Sequence, residues 1–228
     1  MALILNIDTA TDHASVALCS NGNLLSIRNS DNQKEHAGFL HIAIEDLIKE
    51  QKIVLNEVEA FAVTSGPGSY TGLRVGMATA KGLCYALQKP LICVNTLQVM
   101  SFAASKVIVE NKMTVAKDQL LCPMIDARRM EVFMALYSMD LEEVDPTRPI
   151  VLSEEFFKIF ENKHAYFFGN GSKKLLETTQ NKWDIIDVIT SAEHLGKLSE
   201  ILYCKRQFSD VIYSEPQYFK EFYTVSTK

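Results

Sequence analysis

Ala2-Leu3-Ile4-Leu5-Asn6-Ile7, ending in Asp8 and followed after a polar turn by Ser15-Val16-Ala17-Leu18-Cys19, reads as an apolar strand with a second strand returning beside it. The pattern recurs at a constant offset of 118. Ile125-Asp126 stands under Ile7-Asp8, Ala135-Leu136 under Ala17-Leu18, and Ser138 under Ser20, while Val16 and Val132 miss the shared register by two. So few identities can recur by chance, but a strand and its returning neighbour appearing twice in one chain read better as a duplicated lobe.

Outward from the first copy, residues 24–28 read as a third strand, residues 33–51 as a helix and residues 61–64 as a short buried strand. The glycine-rich run 65–72 leads into a helix over 71–88, then a strand over 90–94 and a helix from 97 to 106. A strand meander that passes into strands alternating with helices implies a mixed sheet with helices packed on it. At roughly 150 residues per domain the chain suits one large domain or two small ones. The polar residues 111–119 are the natural connection, dividing it into lobes 1–110 and 111–228.

The 228 residues are 47% hydrophobic and 22% charged, which excludes disorder, a coiled coil and a disulfide mini-scaffold. No apolar run approaches the roughly 18 residues of a membrane span, and the N-terminus enters strand-like sequence directly, so a cytoplasmic protein without membrane contact is expected. Five cysteines, odd in number, set in apolar runs and without a C-x-x-C pair, read as reduced core residues rather than metal ligands. With 23 basic residues scattered among 28 acidic ones and a net charge of -5, the chain has no footprint for gripping a phosphate backbone alone. Contact with nucleic acid is expected only through a partner.

Four stretches could carry chemistry. Asp8-Thr9-Ala10-Thr11 sits where a strand ends in a tight turn, a place that can wrap a phosphate with N–H and hydroxyl groups, or simply cap a hairpin. Ser65-Gly66-Pro67-Gly68-Ser69-Tyr70-Thr71-Gly72 can present free N–H groups to an anion at a helix start, or make a tight turn with Thr71 as N-cap. It is no P-loop, since no G-K-[ST] follows at the required spacing. Beyond it Gly72, Gly76 and Ala80 recur every four residues and leave one helix face nearly bare, suited to close approach of another helix, with Arg74, Met77 and Lys81 elsewhere on the wheel. Phe168-Gly169-Asn170-Gly171 is a third turn that could contact a nucleotide. The fourth is the 33–51 helix, whose apolar residues, Phe39 and Ala43 among them, spread over roughly 240° where a half-buried helix shows somewhat over 100°. His36 and His41, five apart, do not share a helical face, and His13, His164 and His194 are isolated, so no metal site and no hydrolytic constellation emerges.

Taken together, Leu3 to Ala10, the run Ser65-Gly-Pro-Gly-Ser-Tyr-Thr-Gly-Leu-Arg-Val-Gly76, Ile125-Asp-Ala-Arg-Arg129 with Glu131-Val-Phe133, and Glu215-Pro-Gln-Tyr-Phe-Lys220 resemble the TsaB (YeaZ) family of bacterial tRNA threonylcarbamoyladenosine biosynthesis proteins over nearly the whole chain. The resemblance implies an α/β fold of the actin-like (ASKHA, RNase H-like) type, two duplicated lobes of mixed sheets with helices packed on them. In the catalytic relative TsaD, which transfers a threonylcarbamoyl group from an adenylate to the adenosine beside the tRNA anticodon, a V-N-H-x-x-x-H stretch holds a metal. Here the same stretch reads Val94-Asn95-Thr96-Leu97-Gln98-Val99-Met100, and neither Thr96 nor Met100 is an adequate ligand for a catalytic divalent metal. The resemblance therefore implies a non-catalytic subunit. It would pair with TsaD and TsaE homologues, form a homodimer without TsaD, and reach tRNA only through the complex. The expected partner interface is Phe39 and Ala43 on one helix with Gly72, Arg74, Gly76, Met77 and Ala80 on the next. Residual ATP or ADP binding would fall to Asp8, Thr9, Thr11, Gly169 and Gly171. The competing readings are an ATP-dependent transferase or phosphotransferase built around Asp8, Asp126 and Gly169, and a metallopeptidase. Against the former, Ala127-Arg128-Arg129 follows Asp126 where a glycine-rich phosphate hairpin is expected, and the latter lacks its ligands.

Overall fold

The computed structural model describes residues 2–30, 36–116, 118–160, 163–177 and 183–220, with the side chains of residues 36 and 37 left out. The first half runs β1 (Leu3–Asp8), β2 (Ala14–Ser20), β3 (Asn23–Ser30), α1 (His36–Gln51), β4 (Ala60–Thr64), α2 (Tyr70–Leu87), β5 (Leu91–Val94) and α3 (Thr96–Glu110). The second runs β6 (Leu120–Asp126), β7 (Glu131–Ser138), β8 (Glu143–Val151), α4 (Glu154–Ile159), β9 (Ala165–Phe168), a 3-10 segment (Asn170–Glu177), β10 (Asp184–Ile185) and α5 (Ala192–Cys204). The expected start of α1 at residues 33–35 and the side chain of His36 lie outside the described residues.

The strands form two five-stranded sheets, ordered β3-β2-β1-β4-β5 and β8-β7-β6-β9-β10. In each, the first three strands are an antiparallel meander and the last two join it in parallel, so the duplication read from the sequence is repeated strand for strand. The pairing differs by one residue. Asp8 lies opposite Ser15 in the first hairpin, whereas Asp126 lies opposite Val132 in the second, one residue short of the 118 offset. The β6–β7 connection is one residue shorter than that of β1–β2, and in an antiparallel hairpin the connection sets the register.

Alternation along the strands sends opposite faces of each sheet into different cores. On the first sheet Leu5, Ile7, Phe61 and Val63 meet Leu40, Leu47 and Met77 of α1 and α2. Ile4, Ala60, Ala62 and Ile92, on the other face, meet Val99 of α3 and Leu195 and Leu198 of α5. On the second sheet Cys122, Met124 and Phe167 pack against Phe156 and Phe160, while Leu121, Ile125 and Phe168 pack against Leu97, Met100, Ala104 and Ile108 of α3. Helix α3 thus lies between the sheets, with α5 beside it on the first, α1 and α2 on the other face of the first and α4 on the other face of the second. No described helix is long and apolar enough to cross a membrane.

Close approach at glycines fixes where α2 sits. A Cβ on Gly68 would lie 2.2 Å from the Ala10 carbonyl oxygen, one on Gly72 2.1 Å from that of Thr9, and one on Gly76 2.4 Å from Thr9 Oγ1. The small-residue face of α2 is therefore turned inward onto the β1–β2 turn and its own sheet, where Gly72, Gly76, Met77 and Ala80 are buried. This corrects the expectation that it is bared to a partner helix. A helix following a parallel strand must return along the sheet, and only a Cβ-free face lets its first turn reach the end of β1. The N-cap is also corrected: Ser69, not Thr71, accepts the Gly72 N–H at 3.3 Å, leaving Thr71 inside the first turn.

A C-terminal strap, residues 205–220, ties the lobes together. Ser209 donates its N–H to the Leu91 carbonyl on the edge strand β5, and Gln217 donates its N–H to the Ser65 carbonyl at 2.7 Å. Farther on, Phe219 packs near Phe133, and Lys220 reaches the Ala127 carbonyl and pairs with Glu131 on the β6–β7 hairpin.

Cys19, Cys84 and Cys122 are buried as expected, Cys93 is half-buried, and Cys204 is exposed at the end of α5, which corrects its reading as a core residue. Burial pushes the Cys19 thiol up to about 11 and the Cys84 thiol up to about 12.

Two outcomes check this packing. Gly72→Ala should lower stability by about 1–3 kcal/mol or more, because the Thr9 carbonyl is backbone and cannot give way. Gly82→Ala, on the open side of the same helix with nothing near its Cβ position, should raise it by roughly 1 kcal/mol, a melting temperature change of about 2–4 °C. In thiol titration of the native protein near pH 8, one group should react promptly and vanish in Cys204→Ser, while Cys19, Cys84 and Cys122 react only after denaturant is added; prompt reaction of several thiols would contradict the core placement.

Candidate functional site

The five residues expected to cradle a nucleotide are used for internal cohesion. Asp8 is fully buried, and its Oδ1 accepts hydrogen bonds from Thr64 Oγ1 at 2.9 Å and the Ala10 N–H at 3.1 Å. Thr9, also buried, donates its hydroxyl to the Gly72 carbonyl at 2.7 Å, and Ser69 donates its N–H to the Ala10 carbonyl at 2.7 Å. The β1–β2 turn and the start of α2 are thereby joined to one another, the Ala10 and Gly72 carbonyls accepting from the Ser69 N–H and the Thr9 hydroxyl. Thr11 lies on the outer side of the turn, its hydroxyl directed to the His13 carbonyl.

The second lobe repeats the arrangement. A Cβ on Gly169, whose φ is +92°, would meet the Met124 carbonyl oxygen and the Met100 Cε at 2.4 Å, and one on Gly171 would stand 2.9 Å from the Ile125 carbonyl carbon. These glycines seat the 3-10 segment on the end of β6, as Gly68 and Gly72 seat α2 on the end of β1. Asn170 Oδ1 accepts the Asp126 N–H, and Lys174 Nζ donates to Asp126 Oδ1 at 2.6 Å. Partial burial pushes the Asp126 carboxyl up, but the Lys174 ammonium and the Arg128 N–H outweigh it and hold it below its ordinary value. Asp8, Thr9, Gly169 and Gly171 are thus engaged with the chain's own backbone, while the Thr11 hydroxyl lies on the outer side of its turn.

Thr96 and Met100 are also engaged. Thr96, 0% exposed at the start of α3, accepts the Gly66 N–H on its Oγ1 at 3.2 Å, and Met100, 3% exposed, fills the space beneath Gly169. A thioether in an apolar core and a hydroxyl serving a loop do not suit a divalent metal.

The expected interface residues fall on two sides of the same helices. Ala43, Gly72, Gly76, Met77 and Ala80 are buried within the lobe. Phe39 is half-buried against that same core cluster. Arg74 is exposed, stacked 4.1 Å from the Tyr70 ring centre, and donates from Nε to Tyr218 Oη at 2.9 Å. The outer stripe of α2 runs from Arg74 through Ala78 and Gly82 to Tyr85. Between it and α1 lies an apolar groove of about 570 Å³, lined by His41, Ile44 and Ile48 of α1 and Ala78, Gly82 and Leu83 of α2, with the Glu45–Lys49 ion pair beside it. Ile42, 63% exposed, supplies the excess apolar arc of α1. The expectation of a bare Gly72-Gly76-Ala80 face is corrected by its burial, and the small residues left on the outer side of α2 are Ala78 and Gly82. The signal was available, since α2 carries a second small-residue spacing, Ala78 and Gly82, and the Gly72 face is the one continuous with the tight turn after β4.

Residues 27–214 match the family model of TsaD, tRNA N6-adenosine threonylcarbamoyltransferase. The tRNA threonylcarbamoyladenosine biosynthesis protein TsaB of Haemophilus influenzae is 27% identical over 95% of this chain and 93% of its own length. The TsaB protein of Bacillus subtilis is 26% identical over the same shares. Among solved structures, YeaZ from Pseudomonas aeruginosa superposes with a TM-score of 0.76 at 26% identity, covering 96% of this chain and all of that one. With that match across most of its length, the two-lobed actin-like fold and the likeness to TsaB and YeaZ from end to end, the chain belongs to the TsaD family of tRNA N6-adenosine threonylcarbamoyltransferases and, within it, to the TsaB, or YeaZ, branch.

Proposed function

We propose that this chain works in the biosynthesis of threonylcarbamoyladenosine in tRNA as a non-catalytic subunit, binding a TsaD-type transferase through the α1–α2 surface and, with it, a TsaE-type ATPase. The observation that carries the reading is the burial of Thr96 and Met100 in structural roles at the two positions where the TsaD stretch has its histidine pair. The closure of the glycine turns onto the chain's own carbonyls supports it, since it leaves no cradle for a nucleotide's phosphates.

The groove supplies the binding chemistry. Two long helices lie side by side with an apolar channel between them, and Ala78 and Gly82 let a partner helix approach closely along its wall. A TsaD-type subunit of the same fold offers the corresponding pair of helices, so the two pairs complete a bundle. In its absence a second copy of this chain fits the same surface by two-fold symmetry. The acidic net charge and scattered basic residues support tRNA contact only within the complex.

Gly82→Glu, which places a charge in the groove without touching the core, should weaken binding to a TsaD homologue by about 2 kcal/mol or more by calorimetry while leaving the melting temperature within a few degrees. Undiminished affinity would move the interface elsewhere. The isolated chain should release no phosphate from ATP and incorporate no threonine into tRNA, and Thr96→His with Met100→His should not install activity, because the groups that would orient the new ligands are absent. Turnover by the isolated wild-type chain that is lost in Asp8→Ala would overturn the non-catalytic reading.

A further inference from the structure

The strap that ties the lobes also builds a surface. Tyr213, Tyr85 and Ile212 are the three most exposed large apolar or aromatic side chains among the described residues, at 81%, 75% and 73%. They lie close together. Lys81, one turn before Tyr85 on the same flank of α2, donates to the carbonyls of Ile212 at 3.0 Å and Ser214 at 2.7 Å. The turn is held rigid from within, because Asp210 Oδ1 accepts the N–H groups of both Ile212 and Tyr213. Beneath it Val211 is anchored in the α1–α2 core. The strap then passes back along α2 to Tyr218, which stacks with Tyr70 and receives the Arg74 guanidinium.

Helix α2 therefore has the α1 groove on one flank and the strap on the other, with Ala78, Gly82 and Tyr85 forming the continuous ridge between them. An apolar pair fixed on a turn by a lysine clamp, and left facing solvent, is a contact prepared in advance, since little conformational entropy remains to be lost when it is covered. Exposed aromatics at the margin of an apolar groove are the residue types that anchor interfaces.

On the reading of the α1–α2 groove given above, we infer that the TsaD-type subunit seated there extends across α2 and also covers Tyr85, Ile212 and Tyr213, so that the C-terminal strap is a second element of the same interface. Continuity of the surface selects this occupant: a helix pair lying in the groove and over the ridge reaches Tyr85 within one turn of Gly82. The Lys81 clamp makes the arrangement conditional on α2, whose Lys81 holds the strap in place and whose Tyr85 joins its contact.

The test uses the full chain, a purified TsaD homologue and three variants: Gly82→Glu in the groove, Ile212→Ser with Tyr213→Ser on the strap, and Tyr213→Ser alone. Affinity is read by calorimetry and self-association by sedimentation. The strap double variant should bind the TsaD homologue at least tenfold more weakly with an unchanged melting temperature, and Tyr213→Ser should account for a measurable part of that loss. If Gly82→Glu weakens binding while the strap variants bind within twofold of wild type, the strap lies outside the interface and this inference fails with the groove reading intact. If neither weakens binding, the groove reading has itself failed. A strap variant that loses only self-association assigns the patch to a second copy of this chain and likewise overturns the inference.

Discussion

Contact between the first turn of α2 and the carbonyls of Thr9 and Ala10 is the constraint on which the rest of the molecule depends. At those positions a Cβ would stand just over 2 Å from backbone oxygen, so any residue but glycine would lift the helix from the sheet. Seated there, α2 places Met77 and Ala80 over the first sheet, brings α1 alongside, and leaves Ser69 free to cap and Thr9 to donate back to Gly72. The second lobe obeys the same constraint at Gly169 and Gly171 against the end of β6. A glycine-rich turn that elsewhere would be read as an anion cradle is here a joint between two pieces of backbone.

The strand order was legible because it rests on local pattern. Alternation and short apolar runs located β1 and β2 within a residue of their observed ends, and the Ile-Asp recurrence placed Asp126 at the end of β6 and Ser138 at the end of β7. The register of the second hairpin was not, because a connection shortened by one residue shifts the pairing without altering the residues that make it up. Helix α2 was placed correctly, but the face expected to be bare is buried. Its wheel offers two small-residue spacings, Gly72-Gly76-Ala80 and Ala78-Gly82, and which one meets the sheet is decided by the path of the chain leaving β4. Five of the seven expected interface residues proved to be core for this reason or, for Ala43, because α1 turns it onto the sheet. The strap was invisible to periodicity. Its contacts include single backbone hydrogen bonds, the Lys81 clamp, the Lys220–Glu131 pair and the ring pairs Tyr70–Tyr218 and Phe133–Phe219, all of them long-range in sequence.

Electrostatics adds to the cohesion of the second lobe. Lys174 sits on Asp126 and Lys220 on Glu131, so acidic groups at the mouth of the second lobe are matched by cations of the same chain. The Asp126 carboxylate accepts from its lysine and from the Arg128 N–H.

The two lobes share strand order, and where they differ shows what was built on that common plan. Between the third and fourth strands the first lobe has α1 of 16 residues where the second has α4 of 6. After the fourth strand the first lobe has α2 of 18 residues where the second has a 3-10 segment of 8. At 1.5 Å per residue the first pair spans about 24 and 27 Å, against about 9 Å for α4. Both versions seat their glycines on a strand end, so the seating alone does not require the extra length. The added turns of α1 and α2 do more than cover the sheet: they enclose an apolar groove and expose Ile42, Gly82 and Tyr85. An exposed glycine in mid-helix costs roughly 1 kcal/mol relative to alanine. Its place on the ridge of the longer helix pair, beside a groove and a clamped strap, is where a partner's approach would offset that cost.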